Sequence, residues 1–204
     1  MTKIKLCGLT RLSDIEEANK LGIDYIGFVF SKKSKRYVNH QTAKEMKNAL
    51  SHKTQAVGVF VDEPVENVAA LLKDGIIDVA QLHGSEDDDY IINLKKHTNR
   101  PIIKAFRIEN TCDFAYIEKC KADYVLLDSG AGSGETFNWD ICRRVKRPFF
   151  LAGGLNVGNV EIAIRDIQPF AVDVSSGIET DGVKDYRKMT AFVDAVRKEK
   201  NYDK

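Results

Sequence analysis

The amino-acid sequence predicts an α/β protein, a single-domain (β/α)8 TIM barrel spanning residues 1–204 with a frayed tail at 199–204. Three observations predict it. Eight short runs are almost continuously apolar, the pattern of strands covered on both faces. Stretches with helical spacing and charged faces separate them, so the chain reads as βαβ units. Glycine-rich turns follow the seventh and eighth runs, where barrels commonly hold phosphate. An open nucleotide-binding sheet would carry G-x-G-x-x-G after its first strand. The first run here ends in Cys7-Gly8-Leu9-Thr10, and no G-x-x-x-x-G-K-[ST] occurs.

The eight expected strands are, in order, Ile4–Cys7, Tyr25–Phe30, Ala56–Val61, Asp78–Leu82, Ile102–Phe106, Tyr124–Leu127, Phe149–Ala152 and Ala171–Val174. Helical spacing marks Arg11–Leu21, Gln41–Ser51, Val65–Lys73, Asp87–Lys96 and Asp185–Lys198. Ser13 and Asp14 are the expected caps at the start of the first helix, and Gly22 ends it. No linker or charge block divides the series.

Composition narrows the function classes. The 204 residues sit at the lower size limit of the barrel, about 200. They are 43% hydrophobic and 30% charged, as in a globular protein. Thirty-one basic and 30 acidic residues give a net charge of +1, without the basic stripe of a nucleic-acid binder. No apolar run reaches membrane-spanning length, and the first ten residues carry no secretory core. The expectation is a cytoplasmic protein with a small-molecule partner, no nucleic acid and no membrane. A monomer is expected, with a homodimer as the alternative. The four cysteines (Cys7, Cys112, Cys120, Cys142) form no C-x-x-C pair and the four histidines are scattered, so neither a disulfide framework nor a metal site is read.

In a barrel, chemistry sits at the C-terminal ends of the strands. Gly153 and Gly154, with no Cβ, let an anion approach backbone N–H groups, and Ser175, Ser176 and Gly177 can add hydroxyl donors. One such turn alone reads as a tight turn that needs glycine; two on adjacent units favour phosphate binding. Cys7 and Asp128 end strands 1 and 6, a candidate proton acceptor and donor. That division of labour requires a lowered thiol pKa and a raised carboxyl pKa. The alternatives are a buried inert thiol and a loop-capping carboxylate. Arg36, in the basic segment Ser31–Arg36, has a planar fork suited to a carboxylate. Arg107 has the same capacity, and a surface ion pair is its other use. His83 is either a structural or a functional histidine. The glycine-rich segment Ser129–Thr136 is placed to close over a substrate or to serve as a plain linker.

These residues together resemble the phosphoribosylanthranilate isomerase family of tryptophan biosynthesis. Lys5-Leu6-Cys7-Gly8-Leu9-Thr10 is similar to that family's K-[IV]-C-G-[LI]-T, and Ser34–Val38 to its S-x-R-x-V. Gln81–Gly84, Leu151–Leu155 and Val172–Glu179 match further motifs in the family's order, over essentially the whole chain. The resemblance implies a cofactor-free Amadori rearrangement of N-(5-phosphoribosyl)anthranilate. It implies Asp128 as general acid at the furanose ring oxygen and Cys7 as general base at C2. It also implies Arg36 as holder of the anthranilate carboxylate, with Gly154, Asp173 and Ser175 at the phosphate and ribose; His83 lies in a matching motif. The chain departs from the family at Ala131, Ser133 and Asn138, after Asp128, and at Leu6. Two other readings compete: a Schiff-base aldolase with Lys5 or Lys104 as nucleophile, and a non-catalytic phosphosugar-binding barrel.

Overall fold

The computed structural model describes residues 1–108, 113–128 and 139–198. The expectations for Cys112, for the segment Ser129–Thr136 and its departures, and for the tail at 199–204 lie outside those residues. Eight parallel strands form one closed barrel in the order β1 to β8. They are β1 (Lys3–Cys7), β2 (Tyr25–Val29), β3 (Gln55–Phe60), β4 (Val79–Leu82), β5 (Ile102–Arg107), β6 (Tyr124–Asp128), β7 (Phe149–Ala152) and β8 (Ala171–Val174). Each lies within a residue or two of the run that predicted it.

The helices are α1 (Leu12–Leu21), α2 (His40–Ala49), α3 (Val65–Lys73), α4 (Asp88–Lys95), α5 (Phe114–Lys119), α6 (Val160–Ile167) and α7 (Tyr186–Lys198). The helices bury apolar residues in the core, most clearly the stripe of Val65, Val68, Leu71 and Leu72 on α3. The start of α1 differs from expectation. Arg11 occupies the cap position, and Asp14 acts from the first turn, its Oδ2 accepting from the N–H groups of Thr10 and Arg11 at 3.0 Å each. Gly22 ends the helix in the left-handed conformation (φ 58°) as expected. After β6 the described residues hold a 3₁₀ helix, Trp139–Arg144, in place of an α-helix. After β8 come a 3₁₀ turn, Ser176–Ile178, and a hairpin of β9 (Glu179–Thr180) with β10 (Val183–Lys184). Sequence reading did not foresee that hairpin, because two-residue strands carry no periodicity.

The core has two parts. One lies between sheet and helices, and a smaller one fills the barrel interior with Tyr25, Val57, Val79, Ile103, Leu126 and Phe150. Phe150 is fully buried and meets Tyr25 edge-on at 5.4 Å between ring centroids. This plug closes the end where the strands begin. The other end opens into a cavity where polar and charged residues stand among apolar ones such as Val29, Val59 and Val174. β8 closes onto β1 with Lys5 opposite Asp173, and β1 meets β2 with Cys7 opposite Gly27.

Candidate active site

A cavity of about 710 Å³ opens where the barrel strands end. Nine of the ten residues singled out from the sequence line it: Cys7, Arg36, His83, Asp128, Gly153, Gly154, Asp173, Ser175 and Ser176. Gly177 does not. A Cβ there would stand 2.0 Å from the Leu155 carbonyl oxygen, so glycine is required for packing of the two turns against each other. Gly153 and Gly154 have φ of 89° and 65°, conformations that glycine adopts without strain.

Cys7 sits at the tip of β1 and is 9% exposed. Gly27 on the neighbouring strand makes its place: a Cβ there would fall 2.5 Å from Cys7 Sγ. Below it lies Lys5, fully buried, whose ammonium donates to Asp173 Oδ2 at 2.7 Å and also reaches the Cys7 sulfur. Burial pushes the Cys7 thiol above its ordinary value, and the charge of Lys5 pulls it back only in part. This corrects the expectation of a lowered thiol pKa. Desolvation of the thiolate outweighs the two nearby cations, Lys5 and Lys184, and the charge of Asp173 adds to the rise. The same pairing holds Lys5 above its ordinary value despite burial. Asp173 keeps a second oxygen, Oδ1, that is buried without a hydrogen-bond partner among the described residues.

Asp128 ends β6, and His83 Nε2 lies 3.3 Å from its Oδ2. The other imidazole nitrogen, Nδ1, faces Gln81 Nε2 at 2.9 Å. When the Gln81 amide donates to Nδ1, the ring proton is left on Nε2, the nitrogen that faces Asp128. Arg36 uses its fork on a carboxylate of the protein itself. Its Nε and Nη2 make a bidentate pair with Glu179, at 2.6 Å each, so one edge of the fork is already engaged inside the protein. Ser175 Oγ donates to the Cys7 carbonyl at 3.0 Å, tying the turn after β8 to the end of β1. Sequence reasoning missed Gln81, Glu179 and Lys184. Gln81 and Glu179 stood in matching motifs without a role, and Lys184 carried no signal.

Comparison with known proteins agrees over the whole fold. The family model for N-(5'phosphoribosyl)anthranilate (PRA) isomerase matches residues 4–195. The chain belongs to that family. It is 45% identical over 204 residues to the N-(5'-phosphoribosyl)anthranilate isomerase of Thermoanaerobacter sp. strain X514, covering 97% of this chain and 98% of that protein. The crystal structure of phosphoribosyl anthranilate isomerase from Thermotoga maritima superposes with a TM-score of 0.89 at 34% identity, covering 97% of this chain and 100% of that one. A phosphoribosyl anthranilate isomerase in complex with reduced 1-(o-carboxyphenylamino)-1-deoxyribulose 5-phosphate gives a TM-score of 0.85 at 33% identity, with the same coverage.

Proposed function

We propose that the chain catalyses the reaction its family is named for, an aldose–ketose isomerisation in tryptophan biosynthesis, with Asp128 and Cys7 as its acid and base. The substrate is N-(5'-phosphoribosyl)anthranilate and the product 1-(2-carboxyphenylamino)-1-deoxyribulose 5-phosphate. The observation that carries this reading is the meeting of Cys7 and Asp128, from strands 1 and 6, in one cavity with the Arg36 fork and the two polar turns.

In this mechanism Asp128 gives its proton to the furanose ring oxygen. The C1–O bond breaks as the anthranilate nitrogen forms a C1=N double bond. The Asp128 carboxylate left behind accepts the Nε2 proton of His83 as a hydrogen bond. Cys7, as thiolate, then removes the proton from C2. The electron pair forms C1=C2 and neutralises the nitrogen, giving an enolamine, which tautomerises to the ketone. Lys5, beneath Cys7, stabilises the thiolate. The phosphate lies on the N–H groups of Gly153 and Gly154 and on Ser175 and Ser176, all lining the cavity. The unpartnered Oδ1 of Asp173 accepts from a sugar hydroxyl.

The aldolase reading is disfavoured by its own candidates. Lys5 is bonded to Asp173 and held above its ordinary pKa, whereas a Schiff-base lysine needs the opposite. Lys104 donates to Glu86 at 3.0 Å and to the Gly84 carbonyl at 2.6 Å. The proposed functional form is a cytoplasmic monomer, with a homodimer as the alternative. No helix among the described residues is long and apolar enough to cross a membrane. Cys7, Cys120 and Cys142 are free thiols, as a reducing compartment keeps them.

The test generates phosphoribosylanthranilate in situ and follows loss of its fluorescence, with borohydride added in a parallel sample. Catalysed loss without covalent labelling of a lysine is expected. A borohydride-trapped lysine would establish the aldolase, and binding without turnover the non-catalytic barrel.

A further inference from the structure

The Arg36–Glu179 pair is more than a surface ion bridge. Glu179 is only 7% exposed at its side chain, and both its oxygens are engaged. Lys184, 2% exposed at its side chain, donates to Glu179 Oε1 at 2.6 Å from the facing position of the β9–β10 hairpin. The same ammonium donates to the Ser175 carbonyl at 2.9 Å and lies 3.3 Å from Ser175 Oγ. Lys188 Nζ holds the Glu179 carbonyl at 2.7 Å. On the other side, the Arg36 stem lies across Gly8, where a Cβ would stand 2.4 Å from Arg36 Cδ. The guanidinium is thus fixed from below by a glycine and from one side by a carboxylate.

We propose that Glu179 is a positioning residue for the substrate's carboxylate: it grips the Nε/Nη2 edge of Arg36 so that the Nη1/Nη2 edge is presented to the anthranilate. This rests on the reading of Arg36 given above. The geometry supports positioning over competition. Glu179 occupies the side edge of the fork, and Nη1 has no partner among the described residues. Guanidinium carries five N–H donors, so one edge can hold Glu179 while the other holds the substrate. The charge count supports it as well. Arg36 and Glu179 alone would cancel, leaving nothing to attract an anion. Lys184 restores one positive charge to the cluster and links it to the Ser175 turn. The carboxylate holder and one phosphate-side turn therefore share a rigid frame, which fixes the distance between the two ends of the substrate.

The experiment compares two stable probes. One is the reduced product, 1-(2-carboxyphenylamino)-1-deoxyribitol 5-phosphate, and the other is its phenylamino counterpart without the carboxylate. Their binding is measured by calorimetry to the wild type and to Glu179→Gln, alongside KM and kcat. The wild type is expected to prefer the carboxylate probe by about tenfold or more, the scale of one charge-assisted hydrogen bond. In Glu179→Gln that preference falls toward parity while affinity for the phenylamino probe stays within about twofold, and KM rises more than kcat falls. A preference unchanged in the variant overturns the proposal, and an increased one shows that Glu179 competes with the substrate. Equal loss for both probes shows a merely structural role and overturns it too. Should the wild type not discriminate, the Arg36 reading itself fails. If Glu179→Gln does not fold, Glu179→Asp keeps the charge beside Lys184, shortens the reach to Arg36, and answers the same question.

Discussion

Cys7, the proposed base, illustrates how little freedom a thiol has at this position of the fold. It stands at a strand tip because β1 is buried on both faces up to that residue and opens to the cavity there. Burial raises its pKa, Lys5 and Lys184 lower it, and Asp173 raises it again. The outcome is a thiol whose pKa lies above the ordinary 9.0. In the proposed mechanism Asp128 and Cys7 carry one proton between them. The kcat/KM profile then falls on the alkaline side only when the pair loses that proton, which is when Cys7 ionises. A raised thiol pKa moves this limb upward. The expected profile is flat from pH 7 to 9, with its alkaline fall beyond. A fall centred near pH 8 contradicts the placement of Lys5 as only a partial counterweight.

At the scale of elements, the strands are what position the chemistry, and neighbouring strands make room for it. Gly27 on β2 is the clearest case, since it lies opposite Cys7 in the ladder. A Cβ there would sit 2.5 Å from Sγ and 3.1 Å from Cys7 Cα, and the Cα is backbone that cannot step aside. Gly27→Ala is expected to destabilise by about 1–3 kcal/mol through overpacking. It is also expected to lower kcat by roughly ten- to hundredfold by moving the thiol, measured by thermal unfolding and steady-state turnover. Full activity in a folded variant contradicts the assigned role of this contact. The same scale explains what was legible beforehand. Strands covered on both faces advertise themselves as apolar runs, and barrel chemistry sits at strand ends, so Cys7 and Asp128 stood out as candidates by position, while only the family resemblance set them apart from an inert thiol and a loop cap. The Arg36–Glu179 pair was not, because its members are 143 residues apart and Glu179 sits in a two-residue strand with no pattern. The thiol's raised pKa was equally hidden. Lys5 lies two residues before Cys7 in the sequence, but its neutralisation by Asp173, 168 residues away, appears only once β8 closes onto β1.

For the whole molecule, closure is the decisive property. Eight barrel strands and the helices between them span the described residues, and the site draws on them from end to end: Cys7 near the start, Asp128 past the middle, Asp173 and Glu179 near the end. The net charge of +1 supplies no general field for an anionic substrate. Attraction must therefore come from local donors, the Arg36 fork and the N–H groups of the glycine turns. Family membership over residues 4–195 covers all eight strands, consistent with a site that no part of the barrel could form alone. The central claim is that residues from strands 1 and 6 work as one acid–base pair. The most direct measurement is steady-state turnover of phosphoribosylanthranilate by Cys7→Ser and by Asp128→Asn, each shown to be folded. A loss of kcat of about a hundredfold or more is expected in each, the scale of general acid–base catalysis. Turnover undiminished in both variants would contradict the account.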